Sequence, residues 1–198
     1  MDSSTFISAL LLAAGKSERM GEVKQLLSLG EKRMIEAALD NLLNARLDEI
    51  IVVLGFAADE IRPLVEGKER VKVVINPRFA AGMSTSIHQG LKEISARATG
   101  ILIALADQPF IPPEVINKLI EGFQRGAQGI VLPVYEGKRG HPVILDRKKY
   151  AREILELQRD VGGKEIVSKH PQDVLEVPVA SRGVLMDIDA PEDYQGIS

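Results

Sequence analysis

Short aliphatic or β-branched runs recur along this chain, each followed by a longer stretch whose apolar residues repeat at helical spacing. The runs Phe6–Ala13, Glu49–Leu54, Val71–Ile75, Ile101–Ala106 and Gly129–Tyr135 are the expected strands. Met34–Asn44, Ala57–Leu64, Ser84–Ile94 and Pro113–Arg125 are the expected helices between them. In the first of these, Met34, Ala38, Leu42 and Ala45 fall on one face, with Leu39 and Leu43 alongside. Pro112-Pro113 suits a helix start, where a missing N–H is harmless. Alternation of this kind, with nearly continuous apolar strands, specifies an α/β fold: a mostly parallel sheet covered by helices on both faces, in three layers. Ligands of such sheets bind beyond the carboxyl ends of the strands. After Tyr135 the pattern loosens into a polar turn (Glu136–Gly140), a short run at Val143–Leu145, helices near Arg147–Leu157 and Lys164–Lys169, and late strands at Val174–Val177 and Val184–Ile188. There is no internal repeat, low-complexity segment or long linker, so residues 1–198 are expected to form a single domain.

Composition narrows the function. A net charge of -3 gives no global basic field for nucleic acid, so cations that meet phosphates must be concentrated locally. The absence of cysteine excludes disulfides, thiolate zinc sites and cysteine nucleophiles. His88, His141 and His170 are far apart and show no metalloprotease spacing. No apolar run reaches the roughly 20 residues of a membrane span. The apolar stretch near the start follows an acidic residue and no basic one, so it reads as a first strand and not a signal peptide, and the cytoplasm is the expected location.

Unusual residues gather where strands end. The first strand runs into Leu12-Ala13-Ala14-Gly15-Lys16-Ser17-Glu18-Arg19-Met20-Gly21, and Lys24 follows closely. Small residues at 13–15 let backbone N–H groups approach a ligand, Gly15 and Gly21 permit tight turns, and Lys16, Arg19 and Lys24 could together hold a triphosphate. Two commoner motifs fail here. A P-loop would need glycine at Leu10, and a dinucleotide fingerprint would need glycines at Ala13 and Glu18.

The loop from Leu12 to Leu27 resembles the signature of nucleotidyltransferases related to the molybdenum-cofactor enzymes. It is most similar to the MocA-like molybdenum cofactor cytidylyltransferases of the MobA-like NTP transferase superfamily. The resemblance implies a single-domain, Rossmann-like nucleotidyltransferase fold, with a nucleotide-binding half over about 1–110 and an acceptor-binding half over about 111–198. It also implies that Leu12, Ala13, Ala14, Gly15 and Lys24 bind nucleotide, with Lys24 and Arg19 catalytic.

Further matches follow in order. Asn76-Pro77 ends the third strand and precedes Gly82-Met83-Ser84-Thr85-Ser86. Ser84 is a candidate N-cap; the resemblance instead has Asn76, Gly82 and Ser84 line the base and ribose pocket. The fourth strand runs into Asp107-Gln108-Pro109, a carboxylate that burial would penalise unless it is paired or binds a cation such as Mg²⁺. In the family this aspartate holds the catalytic metal and contacts nucleotide, so Asp107 is expected to do both. Arg139-Gly140-His141-Pro142 resembles a segment beside the acceptor, which implies Arg139, Gly140 and His141 as acceptor contacts. Lys164 takes the place of a family arginine, keeping the cation but not the planar fork. Asp189, a good N-cap by itself, resembles a second metal ligand, and Asp187 on the same side of an extended chain is the reserve.

The resemblance therefore implies transfer of CMP from CTP to molybdopterin, with Mg²⁺ as metal and Mn²⁺ as the alternative. Guanylyltransferase relatives read LAGG where this chain reads LAAG, which points to CTP. A molybdoenzyme or its maturation factor would be a further partner; no nucleic acid or membrane is expected. The rival readings are a nucleotidyltransferase for a sugar or polyol phosphate, and a non-catalytic carrier of the pterin cofactor. A dinucleotide-dependent oxidoreductase fails on the glycine fingerprint.

Overall fold

The computed structural model describes residues 5–16, 21–159, 162–189 and 193. Strand β1 (Ile7–Ala13) is buried at every position and forms the centre of the sheet. The chain then makes a 3-10 turn (Lys24–Leu26) and a small hairpin, β2 (Ser28–Leu29) and β3 (Lys32–Arg33), before helix α1 (Met34–Leu43). β4 (Glu49–Leu54), α2 (Ala58–Val65), β5 (Val71–Ile75), α3 (Met83–Leu91) and β6 (Gly100–Leu105) follow. The second half comprises α4 (Pro113–Gln124), β7 (Ile130–Tyr135), β8 (Lys138–Arg139), β9 (Val143–Asp146), α5 (Arg147–Glu156), α6 (Gly163–Lys169) and β10 (Val174–Pro178).

The main sheet runs in the order β10-β7-β9-β6-β1-β4-β5, with β8 paired to β7. Pairings among β6, β1, β4 and β5 are parallel, as is β10 with β7, whereas β9 lies antiparallel between β6 and β7. Period-two alternation divides β1 between two cores. Ala9, Leu11 and Ala13 face the side covered by α1, α2 and α4, while Leu10 and Leu12 face the side covered by α3, α5 and α6. The mostly parallel, three-layer arrangement expected from strand–helix alternation is the one observed.

Two departures have local causes. The polar turn after β7 is a tight hairpin: Glu136 and Gly137 both take positive φ (48° and 77°), the twist that returns a strand along its neighbour. Val184–Ile188, expected as a strand, forms none. Ser181 Oγ accepts the Gly183 N–H and starts a 3-10 turn over Arg182–Leu185. The segment meets the chain just past β6 through the Ile188 N–H, and the position beside β6 is already filled by β9. Among the described residues no helix is long and apolar enough to cross a membrane.

β4 and β5 lie on one side of β1. α3 then carries the chain back across to β6 on the other side. Strand order therefore reverses between β1, which leads on to β4, and β6, which leads on to β7, and ligands of open α/β sheets bind at the carboxyl ends of such a pair.

Candidate active site

A cleft of about 660 Å³ opens at this switch point. Leu12, Ala14, Gly15 and Lys16 from the loop after β1 form one wall, and Leu105, Ala106 and Asp107 from the end of β6 form another. Ala13 turns its methyl into the core beneath them. The 3-10 turn after the loop aims Lys24 across the cleft. Its Nζ donates to Asp107 Oδ2 at 2.7 Å and to Asp189 Oδ1 at 2.8 Å. Burial alone would lower the pKa of Lys24; Asp107 and then Asp189 outweigh it, and the ammonium titrates above the usual lysine value. For Asp107 burial dominates: its pKa is raised despite Lys24, and the nearby Asp187 and Asp189 push the same way. Arg19 lies outside the described residues.

Asp189 reaches this point because the chain at 187–189 is laced to the end of β6. The Ile188 N–H donates to the Asp107 carbonyl at 2.9 Å, and Gln108 Nε2 donates to Asp187 Oδ1. Asp187 is thus turned to Gln108, whereas Asp189 lines the cleft.

The opposite wall is the start of α3, with Phe79, Ala80, Gly82, Met83 and Ser86. Ser84 does not cap this helix. Gly82 is the N-cap residue, and Ser84, already helical and 2% exposed, gives its backbone N–H to the Arg159 carbonyl at 3.0 Å. Asn76 is also 2% exposed and spent internally: Nδ2 donates to Thr85 Oγ1 and Ser86 Oγ, and Oδ1 accepts the Arg78 N–H. Neither Asn76 nor Ser84 lines the cleft, although both sit directly behind its wall.

The expected acceptor contacts are dispersed. Arg139 Nε pairs with Glu176 on β10 at 2.7 Å, away from the cleft lining. Gly140 passes so close to the turn at 182–185 that a β-carbon there would lie 2.3 Å from the Val184 carbonyl oxygen. His141 donates its N–H to that same carbonyl at 3.0 Å. Burial lowers the pKa of its imidazole; Asp187 and Asp107 oppose the shift and Lys164 adds to it, so His141 lies within reach of both aspartates and of Lys164.

Two residues escaped sequence reasoning. Gln25 is 4% exposed and ties down the first loop through Nε2 bonds to the Gly15 (3.1 Å) and Ala13 (3.4 Å) carbonyls. Gln108 is the other. Among the described residues the buried side-chain polar atoms lacking a partner are Gln25 Oε1 and Asp107 Oδ1, on residues that line the cleft, and Gln108 Oε1 on the residue next to Asp107. Unsatisfied buried groups are rare in native proteins and mark places where a ligand, ion or water completes the structure. A divalent cation fits this donor set. Two carboxylates already converge on one positive charge, Asp107 keeps an oxygen without a partner, and Mg²⁺ or Mn²⁺ takes one or two protein carboxylates plus phosphate oxygens and water. No cluster of three or more candidate ligands occurs among the described residues, so such an ion would rely on its substrates for the remaining oxygens.

This sheet order, with its cleft at the switch point, is that of the Rossmann-like nucleotidyltransferase fold. The chain belongs to the MobA-like NTP transferase domain family, which matches residues 9–174. It is 23% identical to the molybdenum cofactor cytidylyltransferase of Escherichia coli (strain K12), over 95% of this chain and 93% of that protein. It is 28% identical to the purine catabolism protein PucB of Bacillus subtilis (strain 168), over 96% and 95%. Among solved structures, Rv0371c from Mycobacterium tuberculosis H37Rv superposes with a TM-score of 0.85 at 31% identity, covering 98% of this chain and 97% of that one. A complex of Rv0371c with manganese superposes with a TM-score of 0.81 at 30% identity, over 98% of each chain.

Proposed function

We propose that this protein transfers CMP from CTP to molybdopterin, forming molybdopterin cytosine dinucleotide and pyrophosphate. The observation that carries the reading is the Lys24 ammonium bonded to both Asp107 and Asp189 at the mouth of the cleft. A cation poised between two carboxylates is a device for exchanging partners. Lys24 could pass to the phosphate chain of the nucleotide, and Asp107 and Asp189 would then be the groups to hold a divalent cation.

In this reading the triphosphate lies along the backbone of Ala13–Gly15, with Lys16, Arg19 and Lys24 supplying charge-assisted bonds. An oxygen of the acceptor's terminal phosphate attacks the α-phosphorus in line, the bond to the β-phosphate oxygen breaks, and pyrophosphate departs against Lys24 and Arg19. A divalent cation, Mg²⁺ or Mn²⁺, held by Asp107 and Asp189 would neutralise the charge building between the two phosphates. Catalysis is then positioning and electrostatics, with no protein nucleophile. Gly82 and the start of α3 face the nucleoside, and Asn76 and Ser84 shape that wall from behind. His141, whose lowered pKa keeps it neutral near pH 7, offers the acceptor an uncharged hydrogen bond beside the charge of Lys164. Arg139 and Gly140 border the same side; Arg139 would have to leave Glu176 to reach the acceptor.

The choice of CTP is supported by the LAAG loop and by the Escherichia coli relative. The acceptor has a second reading, because PucB, a purine catabolism protein, matches over as much of the chain. Pyrophosphate release with molybdopterin and either metal, compared across CTP, GTP, ATP and UTP, tests the proposal. A signal dominated by CTP and lost in Asp107→Ala upholds it. Release only with a sugar or polyol phosphate moves the acceptor, and no release with any nucleotide and a folded protein favours a carrier that hands the pterin cofactor itself to a molybdoenzyme or its maturation factor.

A further inference from the structure

We infer that Gln108 is a positioning residue, which acts through Asp187 to hold Asp189 in register with Asp107. The inference rests on the reading of Asp107 and Asp189 as the cation-binding pair.

Gln108 is 3% exposed, yet its Oε1 has no partner. A buried amide that satisfies only half its hydrogen-bonding capacity is a cost that leucine or methionine would avoid. The half that is satisfied is informative: Nε2 donates to Asp187 Oδ1, a carboxylate on an exposed residue far along the chain. The next residue continues the lacing, with the Ile188 N–H on the Asp107 carbonyl and the Ile188 side chain 1% exposed in the core. Successive side chains therefore go to Gln108, to the core and to the cleft. Asp189 is the third of these, and its backbone N–H is held in turn by Asp193 Oδ2 at 3.0 Å.

Among the described residues no regular strand follows the turn at Arg182–Leu185, so residues 187–189 have no ladder to support them. Without the bond from Gln108, the strip is anchored at Ile188 and beyond, and the residue preceding Ile188 is released from the end of β6. The direction of Asp189 would then lose one of the ties that set it. Outer partners that orient ligating carboxylates commonly contribute about 10–100-fold to metal affinity. The same geometry separates the two candidate aspartates: Asp187 is the anchor and Asp189 the ligand.

The test is Mn²⁺ binding to the nucleotide-free protein, followed by electron paramagnetic resonance, with thermal unfolding to confirm an intact fold. Gln108→Met, similar in length but without a donor, should bind Mn²⁺ about 10-fold more weakly. Asp187→Ala should show a similar loss, and the double variant should be no weaker than either single one, because both remove one bond. Should methionine not be accommodated, Gln108→Asn, one methylene short of Asp187, reads the same loss. Additive losses, or a folded Gln108 variant binding within twofold of wild type while Asp189→Asn has lost the metal, overturn the role of Gln108 alone. If Asp107→Asn and Asp189→Asn bind Mn²⁺ like the wild type, the cation-binding reading falls, and the inference with it.

Discussion

Lys24 is the residue on which nucleotide and metal compete. Its ammonium offsets two carboxylates in the free protein, so removing it should affect rate and metal affinity in opposite directions. Lys24→Ala is expected to lower the rate of nucleotidyl transfer about 10²–10³-fold, the cost of one preorganised donor to a charged transition state. The same variant should bind Mn²⁺ more tightly than wild type, because the ammonium no longer competes for Asp107 and Asp189. Pyrophosphate release and Mn²⁺ titration on one preparation measure both, and a rate within a few-fold of wild type would remove Lys24 from the chemistry. Lys24 and Asp107 stood out in the sequence as charges in a glycine-flanked loop and at the end of an apolar strand, and Asp189 only through the family resemblance; the fold brings the three side chains together. Gln25 and Gln108 did not stand out. An uncharged amide beside such a charge carries no signal until folding shows it buried, half-satisfied and bonded to a carbonyl or carboxylate elsewhere.

Elements were legible where one local cause decides them. α1 and α4 follow their apolar periodicity to within a residue or so, and β4 and β5 match their aliphatic runs. Val184–Ile188 has strand composition and no strand, because pairing depends on a vacant sheet position that local sequence cannot report. The start of α3 was misassigned for a related reason: what meets its N–H groups is the Arg159 carbonyl, distant in sequence. That junction is tight. Gly82 has φ 109°, and a β-carbon there would lie 2.4 Å from the Arg159 carbonyl carbon. Gly82→Ala should therefore destabilise the fold by about 1–3 kcal/mol in urea unfolding, the range for a strained backbone position. A smaller junction ties α5 to the start of β10, where Tyr150 Oη donates to Asp173 Oδ2 at 2.6 Å and Lys149 Nζ to the same carboxylate at 3.0 and 3.1 Å. Burial raises the pKa of Asp173, but the bonds from Tyr150, the Gly129 backbone and Lys149 outweigh it, and the net shift is downward. A carboxyl with a depressed folded pKa stabilises above its unfolded value near 3.9 and loses that contribution as pH falls through the folded value. Asp173→Asn should thus cost about 1.5–3 kcal/mol at neutral pH, the range for hydrogen bonds to a charged group. In acid the two melting temperatures should converge; a pH-independent gap would contradict the assignment.

At the scale of the molecule, the proposed nucleotide and acceptor halves are expected to unfold as one cooperative body. β9 from the second half is inserted beside β6 from the first, and each of the two cores draws side chains from both halves. Leu39 and Leu54 share a core with Leu119 and Ile144; Leu10 and Ile87 share the other with Tyr150 and Ile166. Neither half can close its face of the sheet alone, so unfolding should be a single transition. The chain has no tryptophan, so far-UV circular dichroism and tyrosine fluorescence are the two probes, and their curves should coincide. Ligand binding sharpens the test, because the cleft belongs to the first half together with Asp189 from the end of the second. A nucleotide at about 100 times its dissociation constant stabilises the folded state by about 2.7 kcal/mol. For a chain of this length each kcal/mol moves the midpoint about 2–4 °C, so CTP with Mn²⁺ should raise the melting temperature by about 5–10 °C. Because Asp189 fastens the second half to the nucleotide site, both probes should shift together in the wild type. In Asp189→Asn the midpoint without ligand should stay close to wild type while the CTP-dependent rise shrinks. Two transitions, only one of them moved by CTP, would instead mean that the halves fold independently and that the shared sheet does not couple them.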